Sequence, residues 1–142
     1  MMKCLLLNLI IVISLMRGFS AFSSGGPVSA CDNMIPRHFN TVPQTTPSPY
    51  EVTPLALVVG QGQKLFIEIK TTDPLIPFQG FMIQAINSVG VFGQFVAQPN
   101  LVNLRPCTTP DSTATHTNQN PKNSIILEWS VPDNFLGEFQ FR

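Results

Sequence analysis

Two stretches of the chain alternate between apolar and polar positions. In residues 64–71 the apolar row consists of Leu65, Ile67 and Ile69. In residues 124–131 it consists of Ile125, Leu127, Trp129 and Val131. A period of two residues is that of a β-strand with one buried face and one solvent face. The pattern therefore predicts two amphipathic strands and places Trp129 in the core.

Residues 78–87 differ from these two strands because they are mostly apolar without alternation, and Gln84 is the one polar interruption. Pro74, Pro77 and Gly80 mark turns on the approach to this stretch. A short apolar run between turn signals is typical of a strand that is buried on both faces. We therefore predict a central strand here, covered above and below by neighbouring strands.

Weaker strand signals fill much of the remaining chain. They lie at Tyr50 and beyond, in the apolar run 55–59, in residues 91–97, in residues 113–117 and in residues 138–142. Residues 91–97 are predicted to form a hairpin with 78–87, residues 113–117 a short edge strand, and 99–106 a connection. The total is about seven strands in one domain. This predicts an all-β fold, an antiparallel β-sandwich.

The N-terminus has the pattern of a secretory signal peptide. Lys3 precedes an apolar run, and small residues follow at Gly18, Ser20, Ala21 and Ser23. The run is shorter than the roughly 20 residues that a membrane-spanning helix needs. We predict a signal peptide at residues 1–20, with cleavage after Ser23 as the other possibility, a secreted protein and no transmembrane segment. A buried or anchoring N-terminal helix is the alternative.

The cysteines and charges of the remaining chain fit that compartment. Cys4 leaves with the signal peptide, so Cys31 and Cys107 remain as an even pair, for which we predict a disulfide. Two free thiols, or an intermolecular pair, are the alternative. Residues 21–142 carry six basic and eight acidic side chains, a formal charge of −2. This balance does not suit a nucleic-acid binder or a polybasic membrane patch.

Catalytic and metal-binding patterns are not evident. His38 and His116 have no cysteine or carboxylate at metal-ligand spacing, so the sequence predicts neither a metal site nor a cofactor. Asp111, Ser112 and His116 include the residue types of a hydrolase triad, but they lie too close together in sequence and lack a nucleophile elbow. We therefore expect a binding protein and not an enzyme.

Two irregular stretches offer hydrogen-bonding groups on a rigid scaffold. They are the irregular segment at residues 36–50 and the polar tract 108–124. The candidate ligand-binding residues of the whole chain are Arg37, His38, Arg105, His116 and Lys122. Of these, Arg37, Arg105 and Lys122 could form a local basic patch on an otherwise acidic protein. For any single one of these residues, a purely structural role is the alternative.

The chain resembles the reelin-type (Reeler) domain across nearly all of residues 21–142. The resemblance lies in the order and spacing of these pieces: Gly26-Pro27, Ala30-Cys31, Met34-Ile35-Pro36-Arg37-His38, Pro43-Gln44, Pro49-Tyr50, Phe78-Gln79-Gly80-Phe81, Gln84-Ala85, Gly93-Gln94-Phe95, Cys107, Thr113-Ala114-Thr115-His116, Trp129 and Pro132. It implies an immunoglobulin-like β-sandwich and a disulfide between Cys31 and Cys107. The strands expected after Phe141 are missing, so the domain is expected to be incomplete at its C-terminus.

The resemblance also implies a function. A Reeler domain that stands nearly alone after a signal peptide is similar to the small secreted insect defence proteins of the noduler type. These bind microbial surface glycans and glycolipids (lipopolysaccharide, lipoteichoic acid, β-glucan) and promote haemocyte aggregation, so the haemocyte surface is a further expected partner. We expect a monomer. The alternative is the N-terminal ectodomain of a ferric-chelate-reductase-like membrane protein or a matrix adhesion protein.

Overall fold

The computed structural model describes residues 22–35, 37–38 and 42–142. The predicted signal peptide at residues 1–20 lies outside the described residues. The described part forms eight strands: β1 (Tyr50–Pro54), β2 (Lys64–Thr71), β3 (Met82–Ile86), β4 (Gln94–Phe95), β5 (Val102–Arg105), β6 (Thr113–His116), β7 (Ser124–Ser130) and β8 (Gln140–Phe141). Its helical structure is a single 3₁₀ turn, Val28–Ala30.

The strands form two four-stranded sheets. The first sheet has the order β1-β2-β7-β4 and the second has the order β5-β6-β3-β8, and the paired strands in both are antiparallel. The predicted alternation of β2 and β7 is confirmed, since their apolar rows are buried and face the second sheet across the core. Trp129 is fully buried, in contact with Phe92, Phe139 and Phe141. The predicted all-β sandwich is therefore confirmed.

The predicted central strand is confirmed in position but is shorter than the pattern indicated. β3 lies between β6 and β8, and Ile83, Gln84 and Ala85 are all buried. Residue Phe78, at the start of the predicted strand, makes one isolated bridge with Lys122 instead. Strands do not bury both faces of β3, contrary to the prediction from the sequence. Ile83 and Ala85 belong to the core between the sheets, whereas Gln84 faces the opposite side, which the N-terminal segment covers.

We call this segment, residues 22–35, the arm. It lies against the second sheet on the side away from the core, where the amide of Gly26 donates to Thr115 Oγ1 and the Gln84 side chain donates to the carbonyl of Cys31. The predicted disulfide is formed: Cys31 and Cys107 are joined with their Cα atoms 5.4 Å apart. The covalent link fixes the arm to the chain two residues after the end of β5.

Two sequence predictions are wrong between β1 and β4. Residues 55–59 form no strand, and Leu57 and Val58 are 95% and 88% exposed in the loop between β1 and β2. The hairpin of residues 78–87 with 91–97 reduces to one bridge between Ile86 and Val91. Gly93, with a φ of 70°, then turns the chain into β4, which pairs with β7 in the other sheet.

Two further predictions are wrong around the polar tract. Residues 113–116 are not at an edge, because β6 lies between β5 and β3 and all four of its residues are buried. The connection predicted at residues 99–106 contains β5, which is the true edge strand next to β6. Polar threonines on β6 concealed this burial in the sequence. The arm and β3 satisfy their hydroxyl groups inside the structure.

Candidate functional site

A pocket of about 250 Å³ lies between the arm and the second sheet. We call it the arm pocket. Its lining consists of Phe22, Gly26, Pro27, Ala30, Met34 and His38 from the arm and the residues after it, and of Gly80, Phe81, Met82 and His116 from the body. Apart from the two histidines, these side chains are apolar or absent. The pocket therefore offers more apolar than polar surface to a ligand.

Polar bonds hold the arm along one side of this pocket. Arg105 on β5 donates through Nε to the carbonyl of Gly26 at 2.9 Å and through Nη2 to that of Ser24 at 3.0 Å. The Gly26 amide donates to Thr115 Oγ1 at 2.8 Å. Charge-assisted bonds of this kind are stronger than neutral ones. Backbone groups at the start of the arm are thus hydrogen-bonded to side chains of β5 and β6.

A buried glutamine holds the other end of the arm. Gln84 is 0% exposed, and its Nε2 donates to the carbonyl of Cys31 at 3.2 Å and to Thr113 Oγ1 at 3.0 Å. Its Oε1 accepts from Arg142 Nη2 at 2.8 Å. A buried amide costs free energy unless it is hydrogen-bonded, and here both ends of the amide are paired. Gln84 therefore links the arm, β6 and the residue after β8.

His116 closes the pocket at the end of β6. Its Nδ1 lies 3.1 Å from the amide nitrogen of Phe81, and its Nε2 lies 3.1 Å from the carbonyl oxygen of Phe22. The amide can only donate and the carbonyl can only accept, so the arrangement fits a neutral imidazole protonated on Nε2. Both nitrogens are then engaged within the protein. His116 therefore links Phe22, at the start of the arm, to Phe81 of the body.

Two further residues of the lining show how closely the arm and body approach. A Cβ on Gly80 would lie 2.6 Å from His116 Cε1, so a side chain at this position would displace the imidazole. Met34 has a φ of 57°, in the left-handed region that non-glycine residues seldom occupy. Such conformations cost free energy and concentrate at functional sites. The strain lies directly at the pocket.

The structure brings together two of the five candidate ligand-binding residues. His38 and His116 both line the arm pocket, and Arg37 is exposed next to His38 in sequence. Arg105 donates hydrogen bonds to the carbonyls of Ser24 and Gly26 in the arm. Lys122 is 8% exposed, too buried to serve as part of an open patch.

The ammonium group of Lys122 is enclosed by oxygen atoms. It donates to the carbonyls of Gln79, Asn118 and Asn120 at 3.0, 3.1 and 2.6 Å, and to Asn118 Oδ1 at 3.3 Å. Burial lowers the pKa of Lys122 from its ordinary value because desolvation disfavours the charged form. The residue therefore joins the loop before β3 to the loop before β7.

Sequence reasoning missed Phe22, Ala30, Met34 and Met82 as parts of a site. Only the packing of the arm on the second sheet gives them this role, and an apolar residue carries no sequence signal that separates a pocket wall from a core. In residues 22–35, 37–38 and 42–142, no group of three metal-ligating side chains is close enough to hold a metal ion. In the same ranges, no helix is both long and apolar enough to span a bilayer.

Comparisons with known proteins agree on one family. A family model described as "Reeler domain" matches residues 29–142. The chain is 36% identical to "Putative ferric-chelate reductase 1 homolog" of Drosophila melanogaster, over 82% of this chain but only 19% of that protein. It is 31% identical to "Putative defense protein" of Bombyx mori, over 98% of this chain and 84% of that protein. It is 28% identical to "Putative defense protein 3" of Antheraea mylitta, over 94% of this chain and 81% of that protein.

Solved structures show the same fold. The Reelin-N domain of F-spondin superposes with a TM-score of 0.51 at 14% identity, covering 63% of this chain and 68% of that one. The reeler domain of human F-spondin gives a TM-score of 0.50 at 13% identity, covering 60% and 68%. At this identity the likeness concerns the fold alone.

Proposed function

The chain belongs to the Reeler domain family, and from this membership we propose that it is a secreted recognition protein of innate immunity. It binds microbial surface components, with lipopolysaccharide, lipoteichoic acid and β-glucan as its ligand classes, and it promotes haemocyte aggregation. It acts by binding, without catalysing a reaction.

The lengths of the relatives carry this proposal. The chain spans 84% and 81% of two moth proteins named as defence proteins, but only 19% of the fly reductase homolog. A protein spanned to that extent by one Reeler domain depends on that domain for its activity. Defence is therefore the function that best fits a match of this extent.

The geometry supports binding as the mode of action. The arm pocket is held open by hydrogen bonds and a disulfide, which is the preformed type of site that loses little entropy when a ligand binds. His116, the titratable residue whose partners are best defined there, uses both ring nitrogens within the protein.

Retention on whole cells tests the proposal. The secreted protein is mixed with Gram-negative bacteria, Gram-positive bacteria or yeast, and the pelleted cells are washed and probed for it. We expect retention that soluble lipopolysaccharide, lipoteichoic acid or β-glucan reduces, and aggregation of haemocytes when coated cells are added. The control is an unrelated secreted β-sandwich of similar size and charge. Retention no greater than that of the control contradicts the proposal.

The identity with the fly protein supports a second candidate. The chain is 36% identical to the reductase homolog and covers 19% of it, as an N-terminal or other module of a larger protein does. In that case the domain would serve adhesion or spacing in a membrane-bound or matrix protein. Reading the transcript past Arg142 tests this: apolar spans with paired histidines for haem support it, and an early stop codon contradicts it.

A further inference from the structure

We propose that the arm pocket receives the linear hydrocarbon chain of an amphiphile, such as the acyl chain of a lipid. This inference rests on the proposed function and deepens it for lipopolysaccharide and lipoteichoic acid, the two proposed ligand classes that carry acyl chains, because it names the part of these molecules that the protein holds. It also assigns the site: the space between the arm and the second sheet.

The side chains of the pocket favour hydrocarbon over sugar. The walls include Phe22, Pro27, Ala30, Met34, Phe81 and Met82. Of the two histidines, His116 already donates to Phe22 and accepts from Phe81. A sugar ring buries several hydroxyl groups, each of which costs free energy when it loses water without gaining a partner. An alkyl chain has no such requirement.

The pocket stays open because polar bonds position the arm independently of it. The arm is fixed at Phe22 by His116, at Gly26 by Thr115 and Arg105, and at Cys31 by the disulfide. An apolar void lowers stability in proportion to its volume, so a protein gains by collapsing it where the backbone is free to move. Here the arm already lies close to Met82 at Gly26, and it cannot move further onto the sheet without breaking these bonds. A hydrocarbon ligand would fill the void and recover the lost contacts.

The walls are suited to a flexible chain. Methionine is unbranched and adapts its shape to irregular apolar partners, and two methionines, Met34 and Met82, line the pocket. An apolar cavity of about 150 Å³ accommodates benzene. By proportion, the arm pocket of about 250 Å³ takes on the order of six to ten carbon atoms. The rest of an acyl chain and its head group would lie outside.

Titration calorimetry with straight-chain carboxylates tests the proposal. The series runs from butanoate to tetradecanoate, each below its micelle concentration, with the full secreted protein. We expect the affinity to rise about threefold to fourfold per methylene and to level off once the pocket is full, near decanoate. Glucose should show no binding. Decyl glucoside separates the sources of the chain: similar affinity indicates any alkyl chain, and tighter binding indicates a glycolipid.

Two variants change the pocket in opposite directions. Ala30→Leu adds a side chain to the wall and should shorten the preferred ligand by about two to three carbons. Met34→Gly removes a wall and relieves the left-handed φ, and it should lengthen the preferred ligand by a similar number. Val28→Leu is the matched control, because Val28 lies on the same 3₁₀ turn, is exposed and does not line the pocket. It should leave the preference unchanged.

The outcomes separate this inference from the proposed function. It is overturned if no carboxylate binds, if the length preference is the same in Ala30→Leu and Met34→Gly, or if glucose binds and Ala30→Leu abolishes that binding. Retention on cells without alkyl binding leaves the recognition function standing and removes the hydrocarbon site. Alkyl binding with a shifted length preference but without retention on cells leaves the site standing and removes the recognition function.

Discussion

Single residues that read as surface or neutral positions in the sequence hold the structure together from inside. Gln84 interrupts an apolar run, and it proves to be the buried amide that joins the arm to β6. Lys122 lies in a polar tract, and it proves to be an enclosed cation. Polar residues are buried where partners are available, and the sequence does not show those partners. Such residues hold parts of the fold together, and their polar groups are not available to a ligand.

Lys122→Met tests the enclosed cation. The variant leaves the carbonyls of Gln79, Asn118 and Asn120 without their donor, and we expect the free energy of unfolding to fall by about 1–3 kcal/mol. Urea unfolding at neutral pH measures this. Lys70→Met is the matched control, because the Lys70 side chain is 41% exposed in a surface pair with Glu51 and should contribute less than about 1 kcal/mol. Equal losses in the two variants would contradict the structural role.

The difference in stability between the wild type and Lys122→Met is expected to depend on pH. Because burial lowers the pKa of Lys122, the unfolded chain binds this proton more tightly than the folded chain. Unfolding therefore takes up a proton in the alkaline range between the two pKa values, and stability rises with pH there. The free energy of unfolding of the wild type relative to Lys122→Met should increase across that range. A decrease would show that the lowered pKa is wrong.

Gly93→Ala tests the crossing between the sheets. Gly93 has a φ of 70°, and a Cβ there would overlap the indole ring of Trp129. We expect a loss of about 2–5 kcal/mol, from left-handed strain and from overpacking. Gly62→Ala is the control, because its φ of 67° is similar but its neighbour is the movable carboxylate of Asp133. Thermal unfolding should show the smaller loss for Gly62→Ala, and the reverse order would contradict the crowding at Trp129.

The arm is the element on which the candidate site depends. It contains one 3₁₀ turn and no strand, and it acts as a third layer over the second sheet. The sequence predicted a disulfide from Cys31 in this segment to Cys107, and the structure confirms it. Its path over β3 and β6 could not be predicted, because a segment without periodicity carries no signal for the face that it covers. This path explains why all four residues of β6 are buried.

Removing the disulfide tests the contribution of the arm. Replacing both Cys31 and Cys107 with alanine opens a link across 76 residues of sequence, and we expect the free energy of unfolding to fall by about 2–4 kcal/mol. The sandwich core should remain folded, because neither cysteine belongs to the core cluster. Amide hydrogen exchange should accelerate at Gly26, whose amide donates to Thr115. Unchanged exchange at Gly26 would show that the arm holds its place without the covalent link.

At the scale of the whole molecule, charge contributes little to the proposed binding. Residues 21–142 carry a formal charge of −2, and microbial surfaces are rich in anionic groups. Arg105 and Lys122, two of the three residues predicted to form a basic patch, spend their cationic groups on backbone oxygens. The arm pocket offers apolar contact in place of charge. Binding to microbial surfaces is then expected not to weaken as the salt concentration rises.

Salt dependence of cell retention tests this expectation. Raising NaCl from about 0.1 M to about 1 M shortens the Debye length from about 10 Å to about 3 Å. Retention of the wild type should stay constant or increase, because screening weakens repulsion and salt does not weaken apolar burial. A basic protein of similar size should be released over the same range. Release of the wild type in parallel with that basic protein would indicate a cationic patch instead.

The sequence by itself determined the local periods of the chain: the strands β2 and β7, the central position of β3, the burial of Trp129 and the pair Cys31–Cys107. Side-chain alternation follows from strand geometry, so neighbouring residues suffice to reveal it. Only the tertiary structure decided where the arm lies, that β6 is interior, and that a pocket exists beneath the arm. His116 and Phe22 meet although they are 94 residues apart in sequence. Contacts of that range depend on the whole fold.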